Sequence, residues 1–206
     1  MRKTVLTLTV SLLAGAGLVA QTSKPAGTTK TQSGHEAAAK GAKGMSTAVK
    51  IKMALSAGPA DITKNAAVVE PGAGGRMKQL RTGSNSWVCM AEPEAMCLDK
   101  EWQGWADAWM NKKDPQIKAV GIGYMLKGDK GASNTDPFAT GPTPNNQWVV
   151  SPAHVMVLMS DTRQLDALPT DPHNGGPWVM WKGTKYAHIM VPVATMPKST
   201  PTTAKQ

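Results

Sequence analysis

The feature that most constrains this chain is a stretch that occurs twice. Thr135-Asp136-Pro137 leads to Gly141-Pro142 and then to Ala153-His154-Val155-Met156-Val157. Thr170-Asp171-Pro172 leads to Gly176-Pro177 and then to Ala187-His188-Ile189-Met190-Val191. From aspartate to histidine is 18 positions in the first copy and 17 in the second. Self-similarity of this kind exposes the building unit. The unit is a turn that feeds a strand with one histidine and one methionine. Asp136 is thereby matched with Asp171, and His154 with His188.

Alternate residues of a strand share a face. His154, Met156 and Leu158 therefore lie on one side of their strand, and Tyr186, His188 and Met190 on one side of theirs. If the two strands are neighbours, His154, His188, Met156 and Met190 converge. Imidazole and thioether donors suit copper, above all Cu(I), and Asp136 or Asp171 would orient a ligating ring from outside the coordination sphere. A structural account stands beside the metal one. The chain has 13 methionines, and Met96, Met110, Met159 and Met180 are scattered as core fillers are. Asp before Pro also makes a turn by itself.

Other chemistry has thinner support. No nucleophile elbow, zinc-protease helix, phosphate loop, haem motif or dinucleotide fingerprint is present. Ser151 lies close to His154 but precedes Pro152 in a predicted bend. A hydrolase using His154 or His188 as base is the remaining enzymatic alternative. Asp129, Asn134 and Asp136 offer oxygen donors without the spacing of a calcium loop, and read as solvated turn residues.

The N-terminus reads as a secretory signal over residues 1–20. Arg2 and Lys3 precede an uncharged, largely apolar run from Val5 to Val19, and Ala20 suits the position before the cut. No later segment reads as a membrane span. Residues 21–45, rich in Thr, Lys, Ala, Gly and Ser, predict a disordered linker, and residues 194–206 a disordered tail. The folded domain is expected at 46–193. The formal charge of +9 resides mostly outside it: two charges fall in the signal, a net four in 21–50 and two in the tail, leaving +1 for 51–193. A nucleic-acid-binding domain would carry a basic patch on its folded part, so nucleic acid is not an expected partner. Cys89 and Cys97 are the only cysteines. In an oxidising compartment the pair reads as a disulfide.

Within the domain, Ser46 to Ala57 predicts a short helix ended by Gly58-Pro59. Met77 to Leu80 and Trp87 to Met90 flank Thr82-Gly83-Ser84-Asn85 as a hairpin. The clearest helix is Asp99 to Asn111, capped by Asp99, with Leu98, Trp102, Trp105 and Trp109 on one face. Further strands are expected at Ala119 to Leu126, Gln147 to Val150 and Ala153 to Met159. A short helix is expected at Thr162 to Leu168. A second hairpin joins Trp178–Trp181 to Tyr186–Val193. Trp178 and Trp181, three apart in a strand, are expected on opposite faces; packing is the favoured account of the tryptophans, with an exposed one stacking on a ligand as the alternative. Lys127 to Asn146 is a long Gly- and Pro-rich loop of the kind that is functional or disordered. The pattern is α+β: a single domain with a mainly antiparallel sheet packed by one Trp-rich helix.

The runs Gly131 to Pro137, Gly175 to Thr184 and Tyr186 to Val193 resemble an uncharacterised family of exported bacterial proteins. The resemblance covers the folded domain and implies export without implying an activity. The sequence therefore points to a periplasmic or secreted, monomeric, non-enzymatic binding protein of the cell envelope. Its expected ligand is a small molecule or an envelope component, bound at the two T-D-P loops through His154, His188, Asp136, Asp171 and Trp178. The alternatives are the His/Met copper protein and the hydrolase.

Overall fold

The computed structural model describes residues 44–72 and 76–197. The signal, nearly all of the linker and most of the tail lie outside the described residues. Among those described, no helix is long and apolar enough to cross a membrane.

Helix α1 spans Thr47–Leu55, with the Ser46 hydroxyl accepting from the Val49 N–H. The short α2 spans Ala60–Thr63. Strands β1 (Ala67–Pro71), β2 (Met77–Arg81), β3 (Val88–Met90) and β4 (Met96–Leu98) follow. Helix α3 covers Lys100–Met110, and Asp99 caps it by accepting from the Trp102 N–H at 2.9 Å. The rest of the chain is strand and loop: β5 (Gly121–Met125), β6 (Ala132–Ser133), β7 (Trp148–Val149), β8 (His154–Leu158), β9 (Trp178–Met180) and β10 (His188–Pro192). A 3-10 turn at Thr162–Leu165 stands where a longer helix was expected.

Eight strands form one sheet in the order β2-β1-β3-β4-β5-β8-β10-β9, and β6 and β7 form a separate small ladder. Every pair in the large sheet is antiparallel except β1 with β3. The expected α+β class, with a mainly antiparallel sheet and a Trp-rich helix, is the observed one.

The sheet is covered on both faces. Cys97 and Leu98 are successive residues of β4 and so point to opposite sides. Leu98 joins Trp102 and Trp105 of α3, Met125, Met156, Trp178, Met180 and Met190 in the larger core. Cys97 joins Cys89, Val68 and Ala54 of α1 in the smaller one. The two glycines of β5 explain how α3 comes so close. A Cβ on Gly123 would meet the Met156 methyl at 2.9 Å and the Trp102 ring nitrogen at 3.3 Å.

Two strand expectations are corrected. Met77–Leu80 and Trp87–Met90 do not pair with each other. β1, which the sequence reading missed, lies between them, antiparallel to β2 and parallel to β3. The Thr82–Asn85 turn crosses the start of β1 instead of closing a hairpin. The Ser84 N–H donates to the Asn65 carbonyl at 2.8 Å, and a Cβ on Gly83 would come within 2.2 Å of the Ala67 nitrogen. Trp178 and Trp181 are both buried. Trp181 has φ of 58° and so leaves the strand alternation that would have sent one indole to solvent. The disulfide joins Cys89 and Cys97, which face each other across β3 and β4 with Cα atoms 4.0 Å apart.

Candidate functional site

The sequence repeat is also a repeat of local geometry. Asp136 Oδ1 accepts from the Phe138 N–H at 2.9 Å, and Asp171 Oδ1 from the His173 N–H at 2.8 Å. Each aspartate carbonyl then accepts from the residue three further on, at 3.3 Å in both copies. Each histidine opens a strand, and its Nδ1 meets the carbonyl two residues back: Pro152 for His154 at 2.6 Å and Tyr186 for His188 at 3.0 Å. A carbonyl accepts only from an N–H, so both rings are protonated on Nδ1 and keep a lone pair on Nε2.

The two strands are neighbours, the condition on which the shared face depended. β8 and β10 pair antiparallel, with Met156 directly opposite Met190 and His154 opposite Pro192. A local two-fold axis therefore passes between the two methionines and exchanges the two copies. It also exchanges the outer neighbours. β5 places Met125 opposite His154, and β9 places Met180 opposite His188. Residues opposed across a ladder share a face, with Cβ atoms about 5 Å apart. One buried face therefore carries two sets, His154/Met125/Met156 and His188/Met180/Met190, with the histidines at opposite ends. Met125 was not singled out from sequence, and Met180 was read only as a core filler. The signal for them was positional, since each closes a β-run next to a repeat strand.

The environments of the two rings differ. His188 is ringed by the Trp102, Trp105 and Trp181 indoles, at centroid distances of 5.2, 5.5 and 5.1 Å and nearly perpendicular to it. Burial brings its pKa down to about 4, against the hydrogen bond to Tyr186, with a smaller push from His154. His154 is also fully buried, and its Nε2 meets no hydrogen-bond partner. Burial lowers its pKa too, opposed by the Pro152 carbonyl and the nearby Asp129. Ser151 Oγ, close by in the chain, is buried and unpartnered as well. No hydrogen bond joins Ser151 Oγ to His154 Nε2.

The two T-D-P loops meet through Asn134, which lies beside the first. Asn134 Nδ2 donates to the Thr170 carbonyl at 2.8 Å and to Gln147 Oε1 at 3.1 Å, and its Oδ1 accepts from the Trp178 indole at 3.2 Å. Asn134 is 3% exposed, so its reading as a solvated turn residue is corrected: it is a buried clasp. Asp129 also works inside the fold, accepting from the Gly131 N–H at 3.0 Å and the Ser151 N–H at 2.8 Å. Asp136 and Asp171 are exposed, and Trp178 is fully buried. Asp136 and Phe138 line a shallow concavity of about 440 Å³. Trp109, half-buried, stacks on the Phe138 ring at 6.2 Å.

The larger concavity lies elsewhere, between α1 and the loops 91–95 and 127–130, and measures about 870 Å³. Met45, Val49 and Met53 form its apolar wall; Lys52, Lys127 and Lys130 stand around it with Glu92, Glu94 and Asp129. Lys50 fixes the helix by bridging Glu70 at 2.8 Å and Glu92 at 2.7 Å. Glu94 is half-buried, and burial raises its pKa against the Lys130 N–H it accepts at 2.6 Å. Sequence reasoning missed this cleft because its walls come from three separated segments with no shared motif.

Among the described residues no three His, Cys, Asp or Glu side chains cluster as a metal site. No family model matches the chain, and neither a curated protein nor a solved structure matches it.

Proposed function

We propose that this chain is an exported, non-enzymatic binding domain of the cell envelope, and that its ligand is a small molecule with an apolar body and an ionic head. The observation that carries the reading is the cleft of about 870 Å³ under α1. Its volume falls in the range of small-molecule sites, which combine an apolar wall with a few polar groups. Val49 and Met53 are 48% and 37% exposed, on a helix whose other side is packed. Lys52, Lys127 and Lys130 at the rim, set against Glu92, Glu94 and Asp129, give an ionic head of either sign a partner. Export rests on the charged start and apolar run of residues 1–20, and on a disulfide that oxidising compartments preserve. Binding is preferred to hydrolysis because the Ser151 and His154 side chains make no bond to each other. The cleft replaces the T-D-P loops as the expected site, since Trp178, His154 and His188 are enclosed in the core.

An anionic apolar dye, anilinonaphthalene sulfonate, tests the cleft. The full chain should enhance its fluorescence saturably with one site. Val49→Asp and Met53→Asp should each weaken binding by roughly tenfold or more. Both positions are partly exposed, so the fold should survive. No enhancement, or enhancement that both variants leave unchanged, overturns the cleft as the site. Two free thiols in protein recovered from the cell exterior would overturn the export-and-oxidation reading.

A further inference from the structure

We infer that His154 Nε2, with the thioethers of Met125 and Met156, forms a site for one Cu(I) ion, and that the related His188 set is a structural counterpart that binds none. This goes beyond the cleft and does not depend on its ligand.

Four observations converge on the His154 set. The ring is held by Nδ1 against the Pro152 carbonyl at 2.6 Å, which leaves the Nε2 lone pair available. A carbonyl on the far nitrogen is the usual device for fixing a ligating histidine. Nε2 is buried and has no partner. A buried polar atom without a partner costs about 1–3 kcal/mol, so it calls for an occupant. Met125 is opposite His154 across the β5–β8 ladder, and Met156 follows on the same face of β8. Met156 is 7% exposed and Met125 5%, so both sulfurs belong to an apolar layer that excludes water.

This donor set selects the ion. One neutral imidazole and two thioethers are soft and uncharged, and no carboxylate joins them. That combination favours Cu(I) over Zn(II), Mg(II) or Ca(II), which take harder or anionic donors. The chain's two cysteines are bonded to each other, so no thiolate competes. Access is short. Asp129, in the wall of the cleft, holds the backbone of Ser151 in both directions, donating to its carbonyl at 3.0 Å and accepting from its N–H at 2.8 Å. Ser151 begins the turn that delivers His154.

His188 has the equivalent ladder neighbours, Met180 and Met190, but a different surround. Trp102, Trp105 and Trp181 surround its ring within 5.5 Å. The copy whose buried nitrogen lacks a partner should bind, and the copy packed among indoles should not.

The test is an anaerobic competition between the metal-free full chain and bicinchoninate for Cu(I), with ascorbate as reductant. The wild type should withdraw one equivalent. His154→Ala should lose that binding by roughly a hundredfold or more, and His188→Ala should retain it. Met125→Leu and Met156→Leu conserve volume and keep the fold, so they test the site even if His154→Ala does not fold. Each should weaken binding by about tenfold, and X-ray absorption of the wild-type complex should show sulfur and nitrogen ligands. Failure of the wild type to withdraw copper overturns the proposal. So does binding that the two leucine variants leave unchanged, or binding lost equally in His188→Ala.

Discussion

Single residues decide the character of this core. The His188 ring is folded in its neutral form among three indoles, with His154 close enough to push its pKa down further. Its folded pKa of about 4 lies below the ordinary histidine value. The folded state therefore binds the proton less readily than the unfolded state. Its contribution to stability is complete above about pH 6.5 and is lost as the pH falls towards 4. Between pH 7 and pH 5 the metal-free protein should lose about 2 kcal/mol from this group alone, measured by urea unfolding. His188→Gln should flatten that dependence; an unchanged slope would assign it to other groups. The histidines were legible in the sequence because they repeat. Asn134 was not, although it ties Gln147, Thr170 and Trp178 together. Asparagine in a Gly-rich loop carries the same local signature whether solvated or buried. Only the approach of the Thr170 loop, from 36 residues away, distinguishes the two.

At the scale of elements, α3 was readable because its own residues determine it. Asp99 caps it, and the Trp102–Trp105–Trp109 spacing fixes its buried face. Strand pairing was less readable. Thr82–Asn85 is a good turn sequence, and local chemistry does not say which strands it joins. The sheet pairs β2 with β1 instead, because β1 buries Val68 between β2 and β3. Trp178 and Trp181 failed the alternation rule for a similar reason. A left-handed residue ends β9 one position early, and the aromatic stack with Trp105 at 5.8 Å holds Trp181 there. The disulfide spans the next two strands. It closes a short loop inside the smaller core, where both cysteines are fully buried. Replacing both with alanine should cost about 2–3 kcal/mol in denaturant unfolding. A loss below about 1 kcal/mol would mean that β3 and β4 are held by packing alone.

At the largest scale, four strands of the described domain are organised about an approximate axis through its central ladder. β5-β8-β10-β9 is nearly the same read from either side, with Met156 facing Met190 at the middle. The similarity is incomplete. Trp148-Val149 precedes His154 in a strand that pairs with β6, whereas Trp178-Val179 precedes His188 in one that pairs with β10. The recurring Trp-Val was present in the sequence, but its offset from the histidine differs: 6 positions in one copy and 10 in the other. That is why matching the copies by spacing alone overlooked it. The central ladder also has a consequence for refolding. A-H-V-M-V is almost its own complement when laid antiparallel about its methionine. The β8 of one molecule can therefore offer the β8 of another the register that β10 offers within the chain. Intramolecular closure has an effective concentration of roughly millimolar. Dilute refolding should therefore return monomers, and refolding near or above that concentration should trap strand-exchanged dimers, separable by gel filtration. A monomer yield independent of concentration would show that the ladder closes too late in folding to be shared.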